Sequence, residues 1–417
     1  MKKLIALLLV ALLLTGTVFA AEDVLLIAPA PGAAAPADIT VHVIAPEGTL
    51  LHTTVPMTEG ANALSVLQTA LKAADMTCTV ADSYYGGSYV TSLNGVAEGA
   101  YGGYEGWLYY VDGVSPLVNI SDYALAGGEL LQVIYADFDL LVPVVEATRD
   151  HKGVLTLTVT ADVTTYDESW NITVTREPVA GAAVTVDGKT YTTDGQGKIL
   201  PEEQGVVTLQ VEKQDEVGLP ALLPFVPGYT LDLSAAPVVL PYSDLPADAW
   251  YTAPVLQMHD MGVVNGFPGG TFLPEGDVTR AQAAAMLWRL QEQPVVNYLM
   301  QFADVDQEAW YAEAVRWCAA MGIVEGADGK FRPDEAVTRQ DLAVMLVRYQ
   351  QKVVKTELPA DSAAPAFADN ADIADYAAEA VYLLQKAGIV EGTEGKFLPT
   401  ATASRAALCK MLAGLVK

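Results

Sequence analysis

The last 177 residues, Pro241 to Lys417, write one pattern three times. Each copy opens on an aromatic residue with an acid two places later: Tyr242 and Asp244, Phe302 and Asp304, Phe367 and Asp369. A second aromatic follows at Trp250, Trp310 and Tyr376, with a glycine twelve residues beyond it at Gly262, Gly322 and Gly388. Four residues later stands another glycine (Gly266, Gly326, Gly392), then a Phe-x-Pro step at Phe272-Pro274, Phe331-Pro333 and Phe397-Pro399. Every copy then sets an arginine behind a hydroxyl residue: Thr279-Arg280, Thr338-Arg339, Ser404-Arg405. A unit this short cannot bury an apolar face alone, so a period of this kind predicts neighbours that complete one another's core.

Each unit reads helix, glycine-rich turn, helix. In the second, Tyr311, Ala314, Val315, Cys318 and Ala319 share one face of a helix expected over 310–320, with Gly322 as its C-terminal stop. The next helix starts after Thr338 and runs through Leu342, Val344, Met345 and Leu346. Thr279 with Gln282, and Thr338 with Asp341, have capping-box spacing or its near equivalent, whereas Ser404 has Ala407 at the third place. The three arginines therefore fall at the first helical position, where a cation costs about 0.3–1 kcal/mol against the helix dipole. An anion held by helix-end amides and an arginine fork would explain the repetition. Salt bridges to acids of the adjacent repeat would explain it as well.

The three units closely resemble S-layer homology (SLH) domains. Val278 to Gln282 and Val337 to Asp341 stand where that family has its Thr-Arg-Ala-Glu type motif, and the aromatic, the paired glycines and the Phe-x-Pro step also match. The resemblance implies an all-α, three-repeat helical spindle, with repeats at 241–291, 301–350 and 366–417. It also implies grooves between repeats that hold an anionic, typically pyruvylated secondary cell-wall polymer or a peptidoglycan-linked glycan. In those grooves Arg280, Arg339 and Arg405 would grip the ketal carboxylate. Trp250, Trp310 and Tyr376 would line them, alongside Asp244, Asp304, Gly262, Gly266, Gly322 and Gly326. Core packing is the plainer role for the two tryptophans. The third unit departs from the pattern in Tyr376, in one extra residue before it and in Ser404 to Ala407, so its groove is expected to be the weakest.

The rest of the chain sets the context. Lys2 and Lys3, an apolar run from Leu4 to Leu14 and the cleavage-site step Val18-Phe19-Ala20 read as an export signal over 1–20. An Ala/Pro-rich tether follows over 21–37. No later segment is long and apolar enough to span a membrane. The formal net charge of −28 argues against nucleic acid as a partner, because phosphate needs basic surface. Cys78, Cys318 and Cys409 are too far apart for a disulfide framework, and the four histidines lack metal-ligand spacing, so no metal site is expected.

Residues 38–140 read as a small α+β domain, with a strand at Ile39–Val43, a helix at Asn62–Ala74 and a final strand at Leu130–Tyr135. Gly106 to Gly113, Tyr123 and the Gly128-Glu129 step are similar to the transcobalamin-like C-terminal domain family. That resemblance implies a small ligand, either a corrinoid such as cobalamin or a glycan, with Trp107, Tyr109, Tyr110 and Tyr104 as contacts. The aromatic run that continues through Tyr84, Tyr85, Tyr89 and Tyr101 equally suits core and sheet surface. Residues 141–240 alternate as β-strands and resemble Ig-like or carboxypeptidase-regulatory-like modules, ending in a proline-bearing linker from Leu219 to Pro241.

No nucleophile elbow, zinc motif or phosphate loop occurs, so no enzyme is expected. The chain as a whole reads as a secreted cell-wall or S-layer protein, multidomain, that is tethered by its repeats and presents an N-terminal binding module. A structural S-layer or adhesion subunit is the alternative, and a wall-borne carbohydrate hydrolase ranks below both.

Overall fold

The computed structural model describes residues 37–84, 86–167, 169, 171–358 and 366–416. The expected export signal, nearly all of the tether and Tyr85 lie outside these residues. Two compact units divide the chain at 237/238, apart from 150–152, which cluster with the second.

The first unit begins with β1 (Ile39–Ala45) and β2 (Gly48–Val55), then α1 (Ala63–Ala73). A small antiparallel sheet follows, made of β3 (Cys78–Asp82), β4 (Ser88–Leu93) and β5 (Val96–Ala97). Then come β6 (Gly106–Val111) and β7 (Leu130–Ala136). The larger sheet has order β2-β1-β7-β6, with β1 and β7 parallel and the other pairs antiparallel. Helix α1 starts on a full capping box in which Asn62 and Ser65 exchange side-chain and backbone bonds, and it buries Val66, Leu67, Ala70 and Leu71. These join Val41, Val43, Leu131, Val133 and Tyr135 on one face of the sheet.

The opposite face of that sheet is covered too, and by a segment that the sequence had as linker. Leu223 packs with Ile44, Tyr110 and Ile134, and the Gln132 side-chain amide donates to Pro224 O at 2.9 Å. Leu219 and Leu222 are likewise buried, so the stretch from Leu219 to Val226 packs into the core and is not a free linker. Its leucines are too few and too broken by proline to show a period.

Burial on both faces explains His42, only 1% exposed, whose Nε2 pairs with Thr49 Oγ1 at 2.9 Å. Its Nδ1 has no hydrogen-bond partner among the described residues. Burial, and secondly the His52 charge, push its pKa down to about 4.

Eight further strands complete this unit. They are β8 (Pro143–Asp150), β9 (Leu155–Tyr166), β10 (Ile172–Pro178), β11 (Ala183–Val186), β12 (Lys189–Thr192), β13 (Lys198–Ile199), β14 (Val206–Glu212) and β15 (Thr230–Asp232). One sheet runs β10-β9-β8 with β13 beside β9, and another runs β12-β11-β14-β15. Alternate residues of β9 (Leu155, Leu157, Val159, Ala161) and of β14 (Val207, Leu209, Val211) enter one apolar cluster shared by the two sheets.

Among the described residues the second unit holds six α-helices, two from each repeat: α2 (Thr252–Asp260) and α3 (Arg280–Leu290), α4 (Ala312–Ala320) and α5 (Arg339–Tyr349), α6 (Asp375–Lys386) and α7 (Arg405–Leu415). The expected helical hairpins do not close on themselves. Helix α3 packs on α4, α5 on α6, and α7 returns to α2, so each repeat's second helix serves the next repeat's first.

At the centre three buried backbones close a ring. Val278 N donates to Ala403 O (2.9 Å), Ala403 N to Val337 O (3.0 Å) and Val337 N to Val278 O (2.8 Å). One apolar cluster runs through all three repeats, from Tyr242 to Ala413.

Inside each repeat the opening acid clasps the Phe-x-Pro step. Asp304 accepts from Phe331 N and Arg332 N, both at 2.7 Å, and Asp244 and Asp369 do the same for their own repeats. The clasp holds Leu273, Arg332 and Leu398 at φ of 57°, 60° and 58°, a left-handed backbone that non-glycine residues avoid. Gly326 must be glycine, since a Cβ there would lie 2.5 Å from Lys330 O and 2.6 Å from the Phe302 ring.

Two outcomes follow. Asp304→Ala removes two charge-assisted bonds and the restraint on Arg332, and should lower stability by about 2–4 kcal/mol in chemical unfolding. His42 stays neutral in the fold, so as pH falls below about 6.5 the unfolded chain takes up a proton that the native state refuses. Stability is full above that pH and is lost down to about 4, by roughly 3 kcal/mol from this group. His42→Gln should flatten the stability profile of the first unit across that window, and an unchanged slope would show the ring to be accessible.

Candidate functional site

The three arginines meet across the ring. Arg280 Nε donates to Phe331 O (2.7 Å), Arg339 Nε to Phe397 O (2.7 Å) and Arg405 Nε to Phe272 O (2.8 Å), so the first repeat reaches the second, the second the third, and the third the first. Each guanidinium also stacks on the phenylalanine it bonds, at 4.9, 5.2 and 4.5 Å respectively. Among the described residues none of the three forms an ion pair with a carboxylate, so the cross-repeat partner is a carbonyl and not an acid. Burial pulls all three guanidinium pKa values down.

The helix starts differ from the open amide nest that the sequence suggested. The first amides are taken by the neighbouring repeat: Arg280 N by Glu335 O, Arg339 N by Ala401 O and Arg405 N by Gly276 O, each at 2.9 Å. The second amides go to Pro333 O, Pro399 O and Pro274 O. The third go to the hydroxyls of Thr279, Thr338 and Ser404. The Thr279–Gln282 pair forms a complete capping box. Asp341 instead accepts from the Thr338 hydroxyl at 2.8 Å and leaves its other oxygen for Tyr376. What remains available in each arginine is the outer edge of the guanidinium.

Arg339 and Arg405 line grooves. A cavity of about 390 Å³ joins Trp250 of the first repeat, Arg339 of the second and Glu391, Ser404, Lys410 and Met411 of the third. Another, of about 180 Å³, joins Asn265, Phe267, Gln282 and Arg289 of the first repeat with Trp310 of the second and Arg405 of the third. Each groove thus draws on all three repeats. Arg405, from the repeat whose pattern departs most, lines one of the two.

At the equivalent third position Tyr376 Oη donates to Asp341 Oδ1 at 2.7 Å, and Arg348 pairs with Glu325 at 3.1 Å. Burial, then the Asp341 bond, push the Tyr376 phenol up to about 12.

The aromatic residues are not core. Trp250, Trp310 and Tyr376 are 56, 61 and 61% exposed, presenting ring surface beside the grooves. Lys410 lies 5.5 Å over the Trp250 ring. Asp244 and Asp304 are committed to backbone amides, Gly262 and Gly322 end helices at φ of 69° and 66°, and Gly266 and Gly326 give way to aromatic rings. These six shape the repeats and do not line either cavity.

In the first unit, Trp107 is buried with its indole N–H on Val96 O, and Tyr110 is buried on the other face of the sheet. Tyr109 donates to Val118 O at 2.6 Å, and Tyr104 alone of the four is exposed, at 49%.

Residues 241–284, 301–343 and 366–409 each match the S-layer homology domain family. The chain carries three S-layer homology domains. Proteins with these domains are associated with the cell surface and the S-layer, and the domains bind cell-wall polymers. Residues 60–135 match a domain of unknown function (DUF4430), a description that names no ligand and leaves the transcobalamin-like resemblance unsupported.

Among curated proteins, S-layer protein EA1 of Bacillus anthracis is 31% identical over 177 residues, 41% of this chain and 20% of that protein. The cellulosome-anchoring protein of Acetivibrio thermocellus is 31% identical over 103 residues, 24% of this chain and 23% of that protein. The amylopullulanase of Thermoanaerobacterium thermosulfurigenes is 29% identical over 171 residues, 41% of this chain and 9% of that protein. The chain therefore spans less than a quarter of the length of these relatives, and the glycosidase likeness covers the S-layer homology region only. No helix among the described residues is long and apolar enough to cross a membrane.

The arginine and the tryptophan of one groove should respond differently to removal. Arg405→Ala leaves Phe272 O and Asn265 O without their donor and should cost about 2–3 kcal/mol in chemical unfolding, whereas Trp310→Ala should stay within about 0.5 kcal/mol. Equal costs would mean that Trp310 belongs to the core after all.

Proposed function

We propose that the S-layer homology repeats of this protein hold an anionic cell-wall polymer in the grooves marked by Trp250 and Trp310, and so tether the first unit at the cell surface without a covalent anchor. The observation that carries this reading is the pairing of an exposed tryptophan with an arginine that is half-buried (Arg339) or buried (Arg405) beside a cavity, twice over, in a chain of net charge −28. Exposed aromatic surface stacks on sugar rings, and a guanidinium edge in a desolvated groove is matched by carboxylate or phosphate oxygens. The pyruvyl ketal implied by the family resemblance suits Arg339, which lines the larger groove. Arg280 and Tyr376 belong to the third position, where Asp341 and Glu325 offset the local cations, so this groove contributes least.

The role is one of attachment and not catalysis. What the first unit presents is left open by its match, and Tyr104 is the exposed one of its four candidate contacts.

The test is co-sedimentation of the full chain with protein-free cell-wall sacculi. Trp250→Ala combined with Trp310→Ala should reduce the bound fraction at least tenfold with no change in thermal stability. Undiminished binding by that variant, or no binding by the parent protein, would sink the proposal.

A further inference from the structure

The two open grooves differ in charge, and the difference traces to one position. The residue after Val264, Val324 and Val390 in the loop is Asn265 in the first repeat but Glu325 in the second and Glu391 in the third. In the second repeat this glutamate pairs with Arg348 (3.1 Å), and in the third with Lys410 (2.9 Å), so each acid neutralises a cation of its own second helix. The first repeat keeps the cation and lacks the acid. Arg289, at the position of Arg348, has only a long contact from Nη1 to Val263 O (3.4 Å) and no carboxylate partner among the described residues.

Arg289 shares its cavity with Arg405, which arrives from the third repeat and is 7% exposed. The two cations disfavour each other: burial lowers the Arg405 pKa first, and the Arg289 charge acts in the same direction. Asp244 acts on Arg405 in the opposite sense, yet its carboxylate is committed to Phe272 N and Leu273 N and lies outside the cavity lining. Gln282 spends its carbonyl oxygen on Thr279 N, which leaves its amide hydrogens as the free end. Beside the Trp310 indole, the polar side chains of this cavity are therefore two guanidinium groups and two amides, with no acid. A like-charged pair kept in a desolvated cavity calls for more than one negative charge to balance it.

We propose that the groove between the first and second repeats is a site for a dianionic group, a phosphate monoester carried on a sugar that lies against Trp310. A carboxylate balances one guanidinium, whereas a dianionic phosphate offers three oxygens and balances both. The larger groove at Trp250 has Gly414 where this one has Arg289, and its Lys410 is already paired, so it is left with Arg339 for a single negative charge. The inference rests on the reading of the grooves as polymer sites and adds a ligand class to one of them.

Calorimetric titration of the full chain with methyl phosphate and with dimethyl phosphate at pH 8 tests it. The first probe is a dianion there and the second a monoanion. Methyl phosphate should bind at one site at least tenfold more tightly, and the preference should fade at pH 5, below its second pKa of about 6. Asn265→Glu installs the acid that the other two repeats already carry in the same fold, and it should weaken methyl phosphate at least tenfold. Arg289→Gln should do the same. Equal affinity for the two probes, no binding of either, or unchanged affinity in Asn265→Glu would overturn the proposal. Sacculus binding by the parent protein is measured separately, so a failure here with sacculus binding intact removes the phosphate assignment and leaves the attachment reading standing.

Discussion

Val278, Val337 and Ala403 each give one backbone hydrogen bond to a neighbouring repeat and receive one from the other, in a ring with essentially no exposure. A buried amide or carbonyl left without its partner costs about 1–3 kcal/mol, so opening one link strands two groups. The residue after each ring member caps a helix, and the next is the arginine. Closing the ring therefore fixes where three helices start and which neighbour each arginine can reach. The grooves are a consequence: they lie where one repeat's second helix meets the next repeat's first, and no single repeat contains one.

This geometry resolves why a cation stands at a helix start three times. The dipole disfavours it, but the neighbouring Phe-x-Pro step delivers a carbonyl and a ring face to the guanidinium, and burial beside those groups offsets a cost of about 0.3–1 kcal/mol. The arginines are thus structural before they are anything else. Their loss in a binding assay would confound unfolding with lost contact, whereas Trp250 and Trp310, more than half exposed, report on the groove alone.

Much of this was legible in the sequence. The period, the caps at Thr279, Thr338 and Ser404, helix α1 and the alternating strands all rest on local chemistry, and local chemistry is written residue by residue. The partner of each helix was not legible, because a periodic chain reads the same whether a hairpin closes on itself or on its neighbour. For the same reason Arg405 was judged by its own repeat, when its surroundings come from the first two. Asp244, Asp304 and the glycines recur with the arginines but serve the backbone, since an internal repeat marks what the fold needs as well as what a ligand needs. His42 sits on an alternating strand that would leave it on the outer face, and the fold of Leu219 to Val226 over that face contributes to its burial.

The internal repeat also separates the two kinds of need. Positions serving the closure are alike in all three copies: the clasping acid, the second glycine, the phenylalanine and proline of the step, the hydroxyl cap and the arginine. At none of the positions lining the grooves are all three copies alike: Asn265, Glu325 and Glu391 on the loop, then Gln282, Asp341 and Ala407, Ala285, Val344 and Lys410, and Arg289, Arg348 and Gly414 along the second helix. Among the described residues no side chain of the second set bonds to Val278, Val337 or Ala403, so each was free to change without disturbing the ring. A ring that needs threefold likeness at its centre therefore tolerates three unlike edges. In this chain the edges diverge in charge, from two unopposed arginines at one groove to a tyrosine–aspartate contact and a paired arginine at another.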